Sequence, residues 1–195
     1  MDVLLNECVI GFGVPLTETS FRKQEQSPTG GDFIHSQGLT WDTYRYFFAD
    51  ACAQVLVRLR QWNVHVIEEL TFDALADVFS KPPKVVILFA HWTAREAVEL
   101  ADGMIFSEAI IRVIPSNFQG IFDLCVCHPM SLVVGIKEKC PDCLVKYTAK
   151  NATLLWWLYL YEAMFKILTT RPDYFQALAD AFTILSKTGN HETIK

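Results

Sequence analysis

The sequence predicts an α/β fold in which helices cover both faces of a mainly parallel β-sheet, a three-layer αβα sandwich. Residues 85–90 form an unbroken apolar run, and residues 121–127 form a second run interrupted only by Asp123, a pattern typical of strands buried on both faces. Segments with helical spacing, such as residues 41–61, alternate with these runs. Strands that alternate with helices favour a parallel sheet. The length fits one domain, to which we assign residues 1–195.

The other elements follow from local residue patterns. Apolar and β-branched residues predict a first strand at 3–12, whereas the polar residues 17–38 predict a long loop, a kind of segment that is often functional or mobile. Asp102-Gly103 between apolar residues predicts a β-hairpin. Further strands are predicted at residues 64–67 and 144–147, and further helices at residues 72–79, 107–114, 153–168 and 173–186.

Composition argues against two classes of function. A net charge of −5 provides no basic surface for nucleic acid. The most apolar stretch, residues 154–168, is interrupted by Glu162 and Lys166. It is also shorter than the roughly 20 residues that cross a bilayer, so we predict no membrane contact. Hydrophobic residues make up 51% of the chain, which is enough for a sizeable core.

The six cysteines are expected to be thiols rather than disulfides. Asp2, Asn6 and Glu7 interrupt the apolar start of the chain, and no basic segment precedes it, so a secretory signal is not predicted. A cytoplasmic location is therefore expected. Cysteines in that compartment serve more often as nucleophiles or metal ligands.

Two of the predicted central strands end on reactive side chains. His91 follows the run 85–90, and Cys127 ends the run 121–127. In open parallel sheets, functional sites lie beyond the carboxyl ends of the strands. A histidine beside a cysteine can take the thiol proton and later protonate a leaving amine. The pattern therefore predicts a Cys–His pair suited to acyl transfer without a cofactor.

Four motifs, taken in order, resemble the caspase-like peptidases of clan CD, most closely the CHAT branch, whose domains often stand beside tetratricopeptide repeats. Their order and spacing fit that family over roughly residues 3–185. The motifs are V-V-I-L-F-A-H, A-V-E-L-A-D-G-M-I-F, D-L-C-V-C and Y-F-Q-A-L-A-D-A-F.

The resemblance implies a caspase-like fold and a cysteine endopeptidase that cleaves a protein substrate. The family's two catalytic positions match His91, as general base and acid, and Cys127, as nucleophile. Several prokaryotic members of the family are triggered by a sensor partner in antiviral defence or cell death. Because no internal repeat is visible in this chain, the resemblance implies a separate activating subunit.

The sequence departs from the family pattern beside both catalytic positions. Trp92 stands where the family usually has a glycine whose N–H helps to bind the oxyanion, and His128-Pro129 stands where small residues are common. Loss of one oxyanion donor typically lowers the rate by about 10²–10³-fold. A catalytically inactive scaffold of the same fold is therefore the alternative function.

Other side chains near the predicted pair have possible roles in the same site. Cys125 shares a strand face with Cys127 and is predicted to form a wall of the substrate pocket. Asp123 is predicted to accept a basic side chain of the substrate, or else to bind the backbone. Trp92 is predicted to face the substrate. His128 is a rival partner for the thiol, although adjacent residues on an extended chain point apart.

A structural zinc ion is the competing interpretation of the cysteines. Cys125, Cys127 and His128, together with the C-x-x-C pair Cys140 and Cys143, offer sulfur and nitrogen ligands within a short stretch. Tetrahedral zinc takes four such ligands. The peptidase interpretation assigns no metal. Zinc binding would require at least four of these five side chains to meet at one point, whereas the peptidase interpretation does not.

Overall fold

The computed structural model describes residues 1–93, 95–148 and 152–187, and these residues confirm the predicted three-layer α/β fold. The strands are, in chain order, β1 (Cys8–Phe12), β2 (His65–Ile67), β3 (Val85–Phe89), β4 (His91–Trp92), β5 (Ala97–Leu100), β6 (Gly103–Phe106), β7 (Ile121–Cys127) and β8 (Leu144–Thr148). The helices are α1 (Glu18–Glu25), α2 (Asp32–Ser36), α3 (Trp41–Tyr44), α4 (Asp50–Gln61), α5 (Phe72–Ser80), α6 (Ser107–Val113), α7 (Met130–Lys139), α8 (Leu154–Leu168) and α9 (Tyr174–Lys187).

The central sheet has five strands in the order β2-β1-β3-β7-β8 within the described residues, and each neighbouring pair is parallel. The register places Phe89 of β3 opposite Cys125 of β7. A smaller antiparallel sheet, β4-β5-β6, follows β3 directly. Its β5–β6 turn is the predicted hairpin, and Gly103 has a φ of 130°, which suits glycine.

Alternate residues of the buried strands separate the core into two faces, because successive side chains of a strand point in opposite directions. On one face, Phe12, Phe89 and Cys125 pack under α4, α8 and α9, and we call it the α8 face. On the other, Leu88 and Val126 pack under α5, α6 and α7, and we call it the α7 face. No helix in the described part of the chain combines the length and the hydropathy that a membrane span needs.

The prediction of a loop at residues 17–38 is wrong, since α1 and α2 lie within it. Thr17 caps α1 by accepting a hydrogen bond from the Ser20 N–H. Phe21 of α1 and Ile34 of α2 are buried in the core. Single apolar anchors in an otherwise polar segment give no clear hydrophobic period, so the sequence pattern alone did not reveal these helices.

One element boundary and the regularity of one helix also differ from prediction. The first strand begins at Cys8 rather than at residue 3, because a 3₁₀ turn at Leu5–Glu7 precedes it and the Glu7 carboxylate accepts the Leu4 N–H. The predicted helix 41–61 contains a π-helical turn at Arg45–Ala49 between α3 and α4. Such turns displace the side chains that follow, which a regular period does not anticipate.

Candidate active site

His91 and Cys127 lie at the carboxyl ends of neighbouring parallel strands. Phe89 and Cys125 are register partners, and the Ala90 N–H donates to the Cys125 carbonyl at 3.4 Å. Residues two apart on a strand point to the same face, so His91 continues the face of Phe89 and Cys127 continues the face of Cys125. Both residues lie at the carboxyl-terminal edge of the sheet, which we call the rim.

Both side chains stand on the α8 face of that rim. The His91 ring centroid lies 5.1 Å from that of Phe33, which packs on the α8-face core. The Cys127 Sγ lies 4.0 Å from the carbonyl oxygen of Ala152, which packs on the same core. The predicted requirement that the two strands present an imidazole and a thiol on one side is therefore met.

The two side chains do not engage each other directly. Within residues 1–93, 95–148 and 152–187, no hydrogen bond joins His91 to Cys127. Instead the thiol points to the Ala152 carbonyl and the imidazole to Asp32. Proton transfer between them requires a closer approach than this arrangement provides.

Asp32 is the neighbour of His91 that the sequence did not reveal. The His91 Nε2 atom lies 3.4 Å from Asp32 Oδ2. An imidazole that donates from Nε2 to a carboxylate keeps Nδ1 as its basic nitrogen. Asp32 therefore has the position of an orienting residue, and α2, in the segment predicted as a loop, supplies it.

A buried carboxylate holds Asp32 in place. Glu99 is 2% exposed, and its two oxygens accept the backbone N–H groups of Asp32 and Phe33 at 3.0 Å each. Negative charge at the first turn of a helix is favourable, because the N–H groups there have no partner within the helix. Glu99 is also the register partner of His91 in the small sheet, so one side chain joins α2 to the histidine strand.

Burial lowers the pKa of His91, and the carboxylates of Glu99 and Asp32 partly oppose this shift. The imidazole is therefore neutral at neutral pH and can accept a proton. Because the pKa is lower in the folded protein than in the unfolded chain, the unfolded chain binds the proton more readily. Stability is therefore expected to fall as the pH drops below about 6.5, the ordinary histidine value.

Replacing Asp32 with asparagine is expected to lower the pKa of His91 further, since one of the two charges that favour the imidazolium is removed. An NMR titration of the histidine ring protons measures the change. Asp42→Asn is the matched control, because Asp42 is an exposed acid in the first turn of another helix. An unchanged His91 titration in the Asp32 variant would contradict the assigned contact.

Cys127 is the half-buried thiol, whereas the other five cysteines are buried; all six lie in the described residues. Burial raises the pKa of Cys8 and of Cys52 to about 12 and that of Cys143 to about 11. It also raises the pKa of Cys125, with nearby Lys146 partly opposing the shift. Because a reactive cysteine must be accessible and form a thiolate, Cys127 is favoured over Cys125 as the nucleophile.

A sharp turn follows Cys127. His128 has a φ of 56°, a left-handed conformation that is uncommon outside glycine, and Pro129 leads directly into α7. The His128 N–H donates to the Thr148 carbonyl at 3.2 Å, and the Met130 N–H donates to the His128 carbonyl at 2.9 Å. Backbone strain of this kind is found at functional sites.

The strand itself is irregular just before this turn. Asp123 pairs with Lys146 of β8, but the next pair is Cys127 with Thr148, so three residues of β7 face one of β8. A bulge of this kind bends its strand and re-aims the side chains beyond it. The direction of Cys127 is therefore set by both the bulge and the turn.

Asp123 lies in a buried polar cluster below Cys127. Its carboxylate accepts a hydrogen bond from the Tyr174 hydroxyl at 2.6 Å, and Lys146 Nζ lies 3.0 Å from its Oδ1 in ion-pair contact without hydrogen-bond geometry. Lys146 donates to the Tyr161 hydroxyl at 2.8 Å and lies 4.1 Å from the Trp157 ring centroid. The carboxylate thus binds the chain's own lysine, and a contact with a basic substrate side chain stays a prediction.

The remaining predicted site residues are placed as follows. Cys125 is buried on the α8 face beneath the rim. Trp92 is half-buried and packs on the α7-face core, on the other side of the sheet from the thiol. His128 occupies the turn, with its backbone N–H bonded to Thr148. Roles for Trp92 and His128 in binding the oxyanion or the substrate stay predictions.

The zinc interpretation conflicts with the positions of its ligands. Cys125 packs on the α8 face, whereas Cys140 and Cys143 pack on the α7 face, and the Cys140 thiol donates to the Phe118 carbonyl at 2.8 Å. The sheet separates the sulfurs that one tetrahedral ion would have to bring together. Over the described ranges, no three His, Cys, Asp or Glu side chains form a potential metal site.

Comparisons with known proteins do not identify a family for this chain. No protein-family model matches the chain, and no curated protein or solved structure matches it significantly. Membership of the caspase-like peptidases therefore stays a prediction from the chain's own motifs.

Proposed function

We propose that this chain is a cysteine endopeptidase in which Cys127 attacks a peptide bond, His91 moves the proton and Asp32 orients His91. The single observation that carries the proposal is the delivery of His91 and Cys127 to one rim by adjacent parallel strands, on the same face. The accessible thiol among buried cysteines supports it.

In the proposed reaction, His91 takes the Cys127 proton, and the thiolate sulfur bonds to the carbonyl carbon of the scissile peptide. The tetrahedral intermediate collapses as the C–N bond breaks, and the imidazolium gives its proton to the leaving amine. Water, deprotonated by His91, then attacks the thioester. The second collapse releases a carboxylic acid product and returns the proton to the sulfur.

Activation by a partner protein is part of the proposal. The thiol and the imidazole each contact another group rather than one another, and the His128 N–H is bonded to Thr148 rather than directed to an oxyanion. A partner that shifts this rim would complete the site, as lids and loops do in many enzymes. The motif resemblance supports a prokaryotic defence or cell-death setting in the cytoplasm.

Iodoacetamide is expected to alkylate Cys127 in the native protein well before the other five cysteines, because those thiols are buried and three have pKa values of about 11 or 12. Peptide mapping by mass spectrometry identifies the labelled residue. Labelling should disappear in Cys127→Ala and persist in Cys125→Ala. Preferential labelling of any other cysteine, or equal labelling of all, would overturn the assignment of the nucleophile.

A catalytically inactive scaffold of the same fold is the second candidate. Two observations favour it: no hydrogen bond joins His91 to Cys127 in the described residues, and a strained turn at His128-Pro129 follows the thiol. A peptide probe with a thiol-reactive ketone separates the two functions. Alkylation of Cys127 by this probe that requires His91, alone or with a partner, supports the peptidase, whereas equal rates with and without His91 support the scaffold.

A further inference from the structure

A groove with a volume of about 640 Å³ opens between α6 and α7, on the side of the sheet that these helices cover. The segments that follow each candidate catalytic residue form part of its lining. Arg95 and Glu96 follow His91, and Met130 and Ser131 follow Cys127. Three residues of extended chain span at most about 11 Å, so Met130 lies within that distance of Cys127.

The lining of the groove combines exposed apolar side chains with carboxylates. Phe106, Met130 and Val134 are 55%, 46% and 51% exposed, so three large apolar groups face solvent in one depression. A contiguous exposed patch of this kind is typical of a binding surface. The helices α6 and α7 form its walls, and rigid elements give such a surface a fixed shape.

The charges in the groove are predominantly negative. Glu96, Glu108 and Glu138 line it together with a single guanidinium, that of Arg95. All three carboxylates are exposed, and none forms an ion pair with another residue in the described ranges. They are therefore available to a positively charged partner.

We propose that this groove binds an extended segment of the protein substrate in which apolar side chains stand next to lysine or arginine. The proposal rests on the proposed peptidase function and assigns it a substrate class. The apolar groups would pack on Phe106, Met130 and Val134, while the basic groups pair with Glu108 and Glu138. From the groove, the segment crosses the rim over the His128-Pro129 turn to reach Cys127.

Anionic partners fit the groove poorly. Three carboxylates against one guanidinium repel an acidic peptide or a nucleic acid, and the net charge of the chain is also negative. Charge complementarity therefore selects a basic segment, and the apolar side chains select one that also carries leucine-like groups.

The test uses the full chain with Cys127→Ala, so that binding is measured without cleavage. Three fluorescein-labelled peptides share the sequence Gly-Ser-Leu-Xaa-Ala-Leu-Xaa-Ser-Gly, with lysine, glutamine or glutamate at both variable positions. Fluorescence anisotropy should show the tightest binding for the lysine peptide, weaker binding for the glutamine peptide and none for the glutamate peptide. Added salt should weaken the lysine peptide most.

Variants of the groove separate it from the rest of the surface. Glu108→Gln with Glu138→Gln should weaken the lysine peptide by about 2- to 10-fold, as exposed ion pairs do, and leave the glutamine peptide unchanged. Val134→Ser should weaken both. Asp50→Asn with Glu69→Gln removes the same charge from exposed positions outside the groove and should have little effect.

Several results would overturn the proposal. Absence of binding by all three peptides, a preference for the glutamate peptide, or equal loss in the control variant would each reject the groove as the site. Groove-dependent self-association in sedimentation would identify a second copy of the chain as its occupant instead. Because these readouts do not involve the thiol, they can fail while Cys127 labelling succeeds, or succeed while it fails.

Discussion

Replacing Asp123 with alanine is expected to lower the free energy of unfolding by about 3–5 kcal/mol, the range for breaking one partner of a buried ion pair. The variant leaves the ammonium of Lys146, whose side chain is 18% exposed, without its counter-ion and the buried Tyr174 hydroxyl without its acceptor. Asp123 is fully buried and Lys146 is mostly buried, so solvent screens the interaction only weakly. Urea unfolding followed by circular dichroism measures the change.

Two further variants test the reason for this loss. Asp123→Ala combined with Lys146→Met removes both charges and should recover much of the stability, because no uncompensated charge remains in the core. Glu138→Ala removes an exposed carboxylate and should stay within about 0.5 kcal/mol of the native chain. A loss below about 1 kcal/mol for Asp123→Ala would mean that the cluster does not hold the fold together.

Replacing His91 with alanine is expected to slow alkylation of Cys127 by a peptidyl chloromethyl ketone, which forms a thioether and releases chloride, about 10²–10⁴-fold, the usual contribution of a general base. In the native chain, the rate should rise with pH, and the midpoint of this rise should lie below the ordinary histidine pKa, because burial lowers the pKa of His91. This acidic limb should be absent from the variant. Stopped-flow or mass-spectrometric rates across the pH range give both quantities.

His65→Ala is the matched control for that experiment. His65 is an exposed histidine on β2, at the far edge of the central sheet from β7. Its replacement should leave the rate and the pH profile unchanged. If His91→Ala behaved in the same way, His91 would have no part in proton transfer, and the scaffold function would be favoured.

The fold was accessible from the sequence wherever a strong local pattern decided the structure. The apolar runs at residues 85–90 and 121–127 became β3 and β7, and Asp102-Gly103 became the β5–β6 turn. The segment 17–38 was not accessible, because α1 and α2 are held by single anchors such as Phe21 and by contacts with residues far along the chain. Tertiary contacts of that kind leave no period in the sequence.

The candidate site could be predicted from the sequence only where its residues follow from a local pattern. His91 and Cys127 follow predicted strands, so the rule for parallel sheets placed them together. The link from Glu99 through Asp32 to His91 joins residues 67 positions apart, and no spacing rule connects them. Likewise, the contact between Asp123 and Lys146 depends on the β7–β8 register, which the sequence pattern does not give.

The dependence of α2 on Glu99 bears on how the molecule matures. Until residue 99 has been synthesised, the hydrogen bonds from Glu99 that hold α2 cannot form, so we expect His91 to lack the carboxylate that orients it. On the proposed function, such immature molecules would be harmless to neighbouring proteins. Completion of the fold would then act as the first safeguard against premature proteolysis, before any partner is met.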